Sequence, residues 1–275
     1  MNISRPLMGW TCAMLLSNFF LAPCFAGNLT MYFGTLKAQS PSPATERTLS
    51  AVVGNNATQL SAEELNQLGG RDVVLIIDKS RSMTKTDCTS AASGNRISRW
   101  QWCREQAQDI AVQTRDVLPS GIKVVLYSDN IDVNDNVRAD AVAPIFEKAQ
   151  CDGGTDTAAA LRSQLAAYFA NRQQDAHAKP LLIAIVTDGC PDSPIHLREA
   201  IVEATQHMND AQEVAITFLQ IGNDTNGSRF LGELNHRLMA QHARYDIVDV
   251  KPFTQVTSTG LARALAQTVS RVQSM

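Results

Sequence analysis

The sequence is poor in several signals that define common protein classes. It has no Cys-x-x-Cys pair and no His-x-x-x-His pair, although it holds 6 cysteines and 5 histidines, so neither a zinc cluster nor a helical zinc site is indicated. There is no basic tract, and the formal charge is −3 over 275 residues, which argues against nucleic acid as a partner. Gly-x-Ser-x-Gly, a phosphate-binding loop and a dinucleotide fingerprint are all missing. Beyond the N-terminus no stretch approaches the ~18 uninterrupted apolar residues that a membrane-spanning helix needs.

The N-terminus is different. Arg5 is the single charge in Met1–Ala26, an apolar stretch runs from Leu7 to Phe25, and Cys24-Phe25-Ala26 forms a small-x-small cleavage site. Residues 1–26 therefore read as a signal peptide. The competing anchor reading is weakened by Ser17, Asn18 and Pro23, and a lipoprotein site at Cys24 by proline at the preceding position. The segment carries one Arg and no acid, so its removal takes the charge from −3 to −4. Cys88, Cys103, Cys151 and Cys190 remain; an even number in an exported chain suggests disulfides, with three connectivities open. The expected location is outside the cytoplasm, in a bacterial periplasm or the medium.

Residues 27–70 read as an arm or linker, marked by Ser40-Pro41-Ser42-Pro43. Within it, Ser61-Ala62-Glu63-Glu64 has capping-box spacing and predicts a short helix over Ala62–Leu68. From residue 71 the pattern becomes regular. Val73–Ile77 and Leu181–Val186 are continuously apolar, as in strands buried on both faces, and each run is followed by a carboxylate: Asp78 directly, Asp188 after Thr187. Further strands are predicted over Ile122–Tyr127, Val214–Ile221 and Asp246–Val250. Helices are predicted over Ile97–Leu118, Thr157–Asn171, Ile195–Asn209, Ser228–His242 and Thr257–Val272. Thr84–Asn95 and Ser128–Asn136 read as loops, and Val137–Val142 as a short edge strand. This alternation implies a doubly wound, mainly parallel α/β sheet with helices on both faces, Rossmann-like in outline.

In such a sheet ligands bind beyond the carboxyl ends of the strands. Asp78, Ser80 and Ser82 sit on that rim, and so do Asp188 and the Gly153-Gly154-Thr155 turn. All offer oxygen, which suits a hard divalent cation. A bland reading, a strand-ending Asp followed by a Ser-rich turn, fits the first stretch alone equally well. The acids Asp129, Asp132 and Asp135 lack the glycine and terminal glutamate of an EF-hand loop and read as a solvated turn.

Asp78-x-Ser80-x-Ser82, then Thr155 77 residues after Asp78, then Asp188 33 residues further on, resembles the metal-ion-dependent adhesion site (MIDAS) of von Willebrand factor type A (vWA) domains. Ser98-Arg99-Trp100, Ile216–Gly222, Arg229-Phe230-Leu231 and Tyr245–Val250 extend the resemblance over residues 70–272. It implies a vWA domain over 71–275. It also implies a divalent cation, Mg2+ with Mn2+ or Ca2+ as alternatives, held by Asp78, Ser80, Ser82, Thr155 and Asp188. One coordination position would be left for an Asp or Glu of a protein partner. The family commonly has glycine between the two serines; Arg81 stands there and would add a contact for an acidic partner or point to solvent. If Thr155 and Asp188 meet one ion, Cys151 and Cys190 lie close together. The resemblance thus implies the disulfides Cys151–Cys190 and, from the remaining pair, Cys88–Cys103.

The function implied is a secreted, non-enzymatic, metal-dependent protein-binding module for adhesion or assembly. Two alternatives stand beside it. One is a phosphotransferase or phosphatase using Asp78 as nucleophile, against which Ser80 replaces the second acid. The other is a structural subunit of a cell-envelope assembly in which the ion is only a staple.

Overall fold

Val73–Ile77 lie at the centre of a six-stranded sheet in the computed structural model, which describes residues 58–175 and 177–274. The strands are β1 (Asp72–Asp78), β4 (Ile122–Tyr127), β5 (Ile131–Val137), β6 (Leu181–Thr187), β7 (Val214–Gln220) and β8 (Val248–Lys251). A two-stranded ribbon, β2 (Cys88–Thr89) with β3 (Arg96–Ile97), stands apart. The sheet order is β5-β4-β1-β6-β7-β8, and every pairing is parallel except the β4–β5 hairpin. The fold is thus doubly wound α/β. The helices are α1 (Ala62–Gly69), α2 (Arg99–Gln113), α3 (Ala139–Lys148), α4 (Thr157–Gln174), α5 (Pro194–His207), α6 (Thr225–Arg237), α7 (Phe253–Thr259) and α8 (Leu261–Gln273).

Alternate residues of the central strands serve opposite faces, as strand geometry requires. Val73, Leu75 and Ile77 pack with Leu68, Trp102, Ile110, Phe146 and Leu265 of α1, α2, α3 and α8. Val74 and Ile76 pack with Leu161, Ile201 and Leu231 of α4, α5 and α6. Both faces are therefore dry, which is why these strands read as unbroken apolar runs.

Several boundaries differ from the sequence reading. Residues 128–136 are not simply a turn: only Ser128–Asn130 connect, and Ile131–Val137 form the antiparallel edge strand β5. Its exposed acids pair with neighbours, Asp132 with Lys79 at 3.4 Å and Asp135 with Lys123 at 2.9 Å. Polar residues on a one-sided edge strand mimic a loop in sequence. The expected strand Val137–Val142 instead leads into α3, whose interior Pro144 obscured the helical signal. The long C-terminal helix is two, broken at Gly260 with φ 79°. The predicted loop 84–95 contains β2. The capping box at Ser61 and Glu64 is present, but α1 packs into the core through Leu60 and Leu68, so the packed body begins before residue 71. The expected signal peptide, residues 1–26, and most of the arm lie outside the described residues.

Candidate metal centre

The strand order reverses between β1 and β6, the place where open α/β sheets leave a crevice at their carboxyl edge. Asp78 ends β1 and Asp188 follows β6 by one residue, so the two carboxylates face each other across that crevice. Hydrogen bonds knit them to the serines. The Ser80 N–H donates to Asp78 Oδ1 at 2.7 Å, and Thr187 Oγ1 donates to Asp78 Oδ2 at 3.2 Å. Ser82 Oγ donates to Asp188 Oδ1 at 2.8 Å and lies 3.0 Å from Ser80 Oγ. A single 3-10 turn, Arg81–Thr84, returns the chain so that Ser80 and Ser82 project together. Asp78, Ser80, Ser82 and Asp188 therefore form one continuous cluster.

Thr155 joins by a different route. Its N–H donates to Asp192 Oδ2 at 2.8 Å, and its carbonyl accepts from the Asp192 N–H at 3.1 Å. The Thr155 and Asp188 loops are thereby fastened, while no hydrogen bond among the described residues joins the Thr155 hydroxyl to the other four. The preceding glycines are required by space. Gly153 has φ +83°, and a Cβ there would come 2.6 Å from Asp129 Oδ2; one on Gly154 would come 2.6 Å from Asp192 Oδ2. Asp129 Oδ1 also accepts from the Gly154 N–H at 2.9 Å, so this acid is part of the rim scaffold.

Burial pushes the Asp78 carboxyl up to about 6, with the Asp188 charge adding to the rise and the hydrogen bonds from Ser80 and Thr187 opposing it. Asp78 is fully buried and Asp188 is 5% exposed. Asp188 has a guanidinium beside it, but Asp78 has only hydrogen-bond donors, and a buried carboxylate without counter-charge is costly. The donor set, all oxygen with two acids, fits a hard divalent cation.

The structure adds a residue to which the sequence reading gave no role. The Arg99 guanidinium, 4% exposed at the start of α2, donates from Nη1 to Asp188 Oδ2 at 2.6 Å. Its other side grips Asp87, with Nε to Oδ1 at 2.8 Å and Nη2 to Oδ2 at 2.5 Å. Hydrogen bonding to Arg99 holds the Asp87 carboxyl below the usual range. Nothing in the spacing of Asp87, Arg99 and Asp188 reveals this; it requires the loop before β2 to fold over α2. Arg81 is exposed and pairs with Asp152, three residues before Thr155, at 2.8 Å.

No S–S bond joins Cys88, Cys103, Cys151 and Cys190 in this structure. Cys88 and Cys103 are buried in one core cluster, with Cys151 packed against it, whereas Cys190 is exposed. The rim contact expected of Cys190 is made two residues later by Asp192, which leaves Cys190 facing solvent rather than Cys151.

No family model and no curated protein matches this sequence. Comparison with solved structures finds the PilB minor pilin of Streptococcus sanguinis, 15% identical over 74% of this chain and 61% of that one, with a TM-score of 0.45. It also finds manganese-loaded TRAP protein of Plasmodium vivax, 15% identical over 69% and 71%, at 0.43. A third is proximal thread matrix protein 1 of mussel byssus with a zinc-occupied MIDAS motif, 13% identical over 74% and 48%, at 0.47. This chain thus spans about three fifths of the pilin. At these values the likeness carries nothing about what this chain binds. The mainly parallel sheet covered on both faces, with carboxylates at the ends of β1 and β6, is what the vWA resemblance implies.

Proposed function

We propose that this chain is a metal-dependent protein-binding module, working in adhesion or assembly outside the cytoplasm, and not an enzyme. The observation that carries the reading is the cluster of Asp78, Ser80, Ser82 and Asp188 at the switch point of the sheet, with Asp78 buried and its carboxyl raised to about 6. Asp78, Ser80, Ser82 and Asp188 would hold the cation, Mg2+ first and Mn2+ or Ca2+ as alternatives, with Thr155 completing the set. When bound, the cation supplies a Lewis-acidic position for an outside carboxylate. The chain's own part is to orient oxygen donors, three of them neutral hydroxyls, so that the ion keeps residual positive charge toward an Asp or Glu of the partner.

Isothermal titration of the mature protein with Mg2+ and Mn2+ tests the site. Saturable binding is expected in the wild type and at least a tenfold loss in Asp78→Ala; heat traces that are the same for both proteins would overturn the reading. A pull-down from cell envelope with and without chelator then tests the partner class.

A further inference from the structure

The described residues begin at Thr58, and the chain is pinned where it enters. Gln113, the last residue of α2, donates from Nε2 to the Thr58 carbonyl at 3.2 Å, and its Oε1 accepts from the Leu60 N–H at 2.8 Å. Thr58 also belongs to the wall of an open groove of about 850 Å3, bounded by the β2–β3 ribbon, the outer side of α2, and α7. The residues that precede Thr58 are therefore tethered at the mouth of that groove.

The groove has an apolar lining. Trp102 and Phe253, with ring centroids 5.4 Å apart, line it together with Val256. Val112, 46% exposed, and the exposed Ala91 and Ala92 add to its walls. No Lys, Arg or His is among the lining residues. Asp109 is there too, and its side chain accepts from Gln113 Nε2 at 2.8 Å. An extended backbone with apolar side chains suits such a lining. Its side chains on one face meet the aromatic rings, and its N–H groups, which need acceptors, find a carboxylate.

The chain carries that pattern directly before Thr58, in Ala51-Val52-Val53 followed by Gly54-Asn55-Asn56. Gly and Asn are turn formers. Val53 stands five residues before Thr58, a reach of up to about 17 Å when extended. A tether this short holds the segment at the groove at high effective concentration, which favours it over a free competitor. We infer that Ser50–Ala57 covers this groove as an extended strap, with Ala51 and Val53 on the face toward Trp102 and Phe253. Nothing in this inference depends on the metal site.

The test is photo-crosslinking of the mature protein with p-benzoylphenylalanine in place of Val112. Fragment mapping is expected to find a cross-link to residues 50–57 of the same chain. Adding Val53→Asp should lower its yield at least tenfold. In the otherwise unchanged protein, Val53→Asp should lower the thermal midpoint by about 2–4 °C. Met239→Asp, at another exposed apolar position, should leave the midpoint where it is. The inference is overturned if the cross-link joins two copies, if none reaches residues 50–57, or if Val53→Asp changes neither yield nor midpoint.

Discussion

Arg99 holds Asp188 and Asp87 at the same time, and so ties a rim carboxylate to the loop before β2. The guanidinium is packed beneath Gly222, which has φ +78°; a Cβ there would come 2.7 Å from Arg99 Cζ. Asp188 therefore presents Oδ1 toward Ser82 while Oδ2 is committed to Arg99. A cation at the rim and the Arg99 guanidinium would share one carboxylate from opposite sides.

Removing Arg99 should expose that sharing. Breaking a buried pair by deleting one partner costs roughly 3–5 kcal/mol. Arg99→Met is expected to lose stability of about that size in chelator, and clearly less with saturating Mg2+, where the ion supplies counter-charge to Asp188. Urea unfolding in both conditions measures it. An equal loss in the two conditions would show that the ion does not share Asp188.

The raised Asp78 carboxyl gives a pH dependence with a definite sign. Its value is about 6 in the fold against an ordinary 3.8, so the metal-free fold holds this proton more tightly than the unfolded chain does. The stabilisation from this group is complete below the ordinary value and is lost as pH rises through about 6. In chelator, the wild type should gain up to roughly 3 kcal/mol relative to Asp78→Asn on going from pH 7 to pH 4. Cation affinity runs the other way, because protons compete for the ligand. It should fall about tenfold for each pH unit below 6, readable by titration calorimetry.

The thiols should differ sharply in reactivity. Burial pushes Cys88 and Cys151 up to about 11 and Cys103 well above the ordinary thiol range, while Cys190 is exposed. The thiolate is the reactive form. Brief alkylation of the folded protein near pH 8 is expected to mark Cys190 first, with Cys88 and Cys103 reacting only after unfolding, as peptide mass mapping would reveal. A denatured, unreduced sample without alkylatable cysteine would contradict the free-thiol arrangement.

Phe218 on β7 is fully buried between the sheet and the face built from α4, α5 and α6. Phe218→Ala should cost about 3–5 kcal/mol in denaturant unfolding through the cavity it leaves. A loss below about 1 kcal/mol would mean that this face is not packed as described.

Some of this was legible in the sequence because it rests on local chemistry. Val73–Ile77 and Leu181–Val186 need no partner to be read as buried strands, since only a sheet covered on both faces keeps such runs dry. The same runs place Asp78 and Asp188 at their carboxyl ends, and Gly153-Gly154 announces a turn beside Thr155. The edges were less legible. β5 carries acids because one side of it meets water, and α3 contains Pro144. What only the tertiary structure decided are the meetings of residues distant in the chain. Arg99 reaches Asp87 and Asp188, Asp192 rather than Cys190 closes the rim, and Arg71 is buried at the amino edge of the sheet. None of these has a signature in spacing. Each depends on how far a loop folds back over a helix or sheet edge, and on whether the charge brought there finds an opposite one.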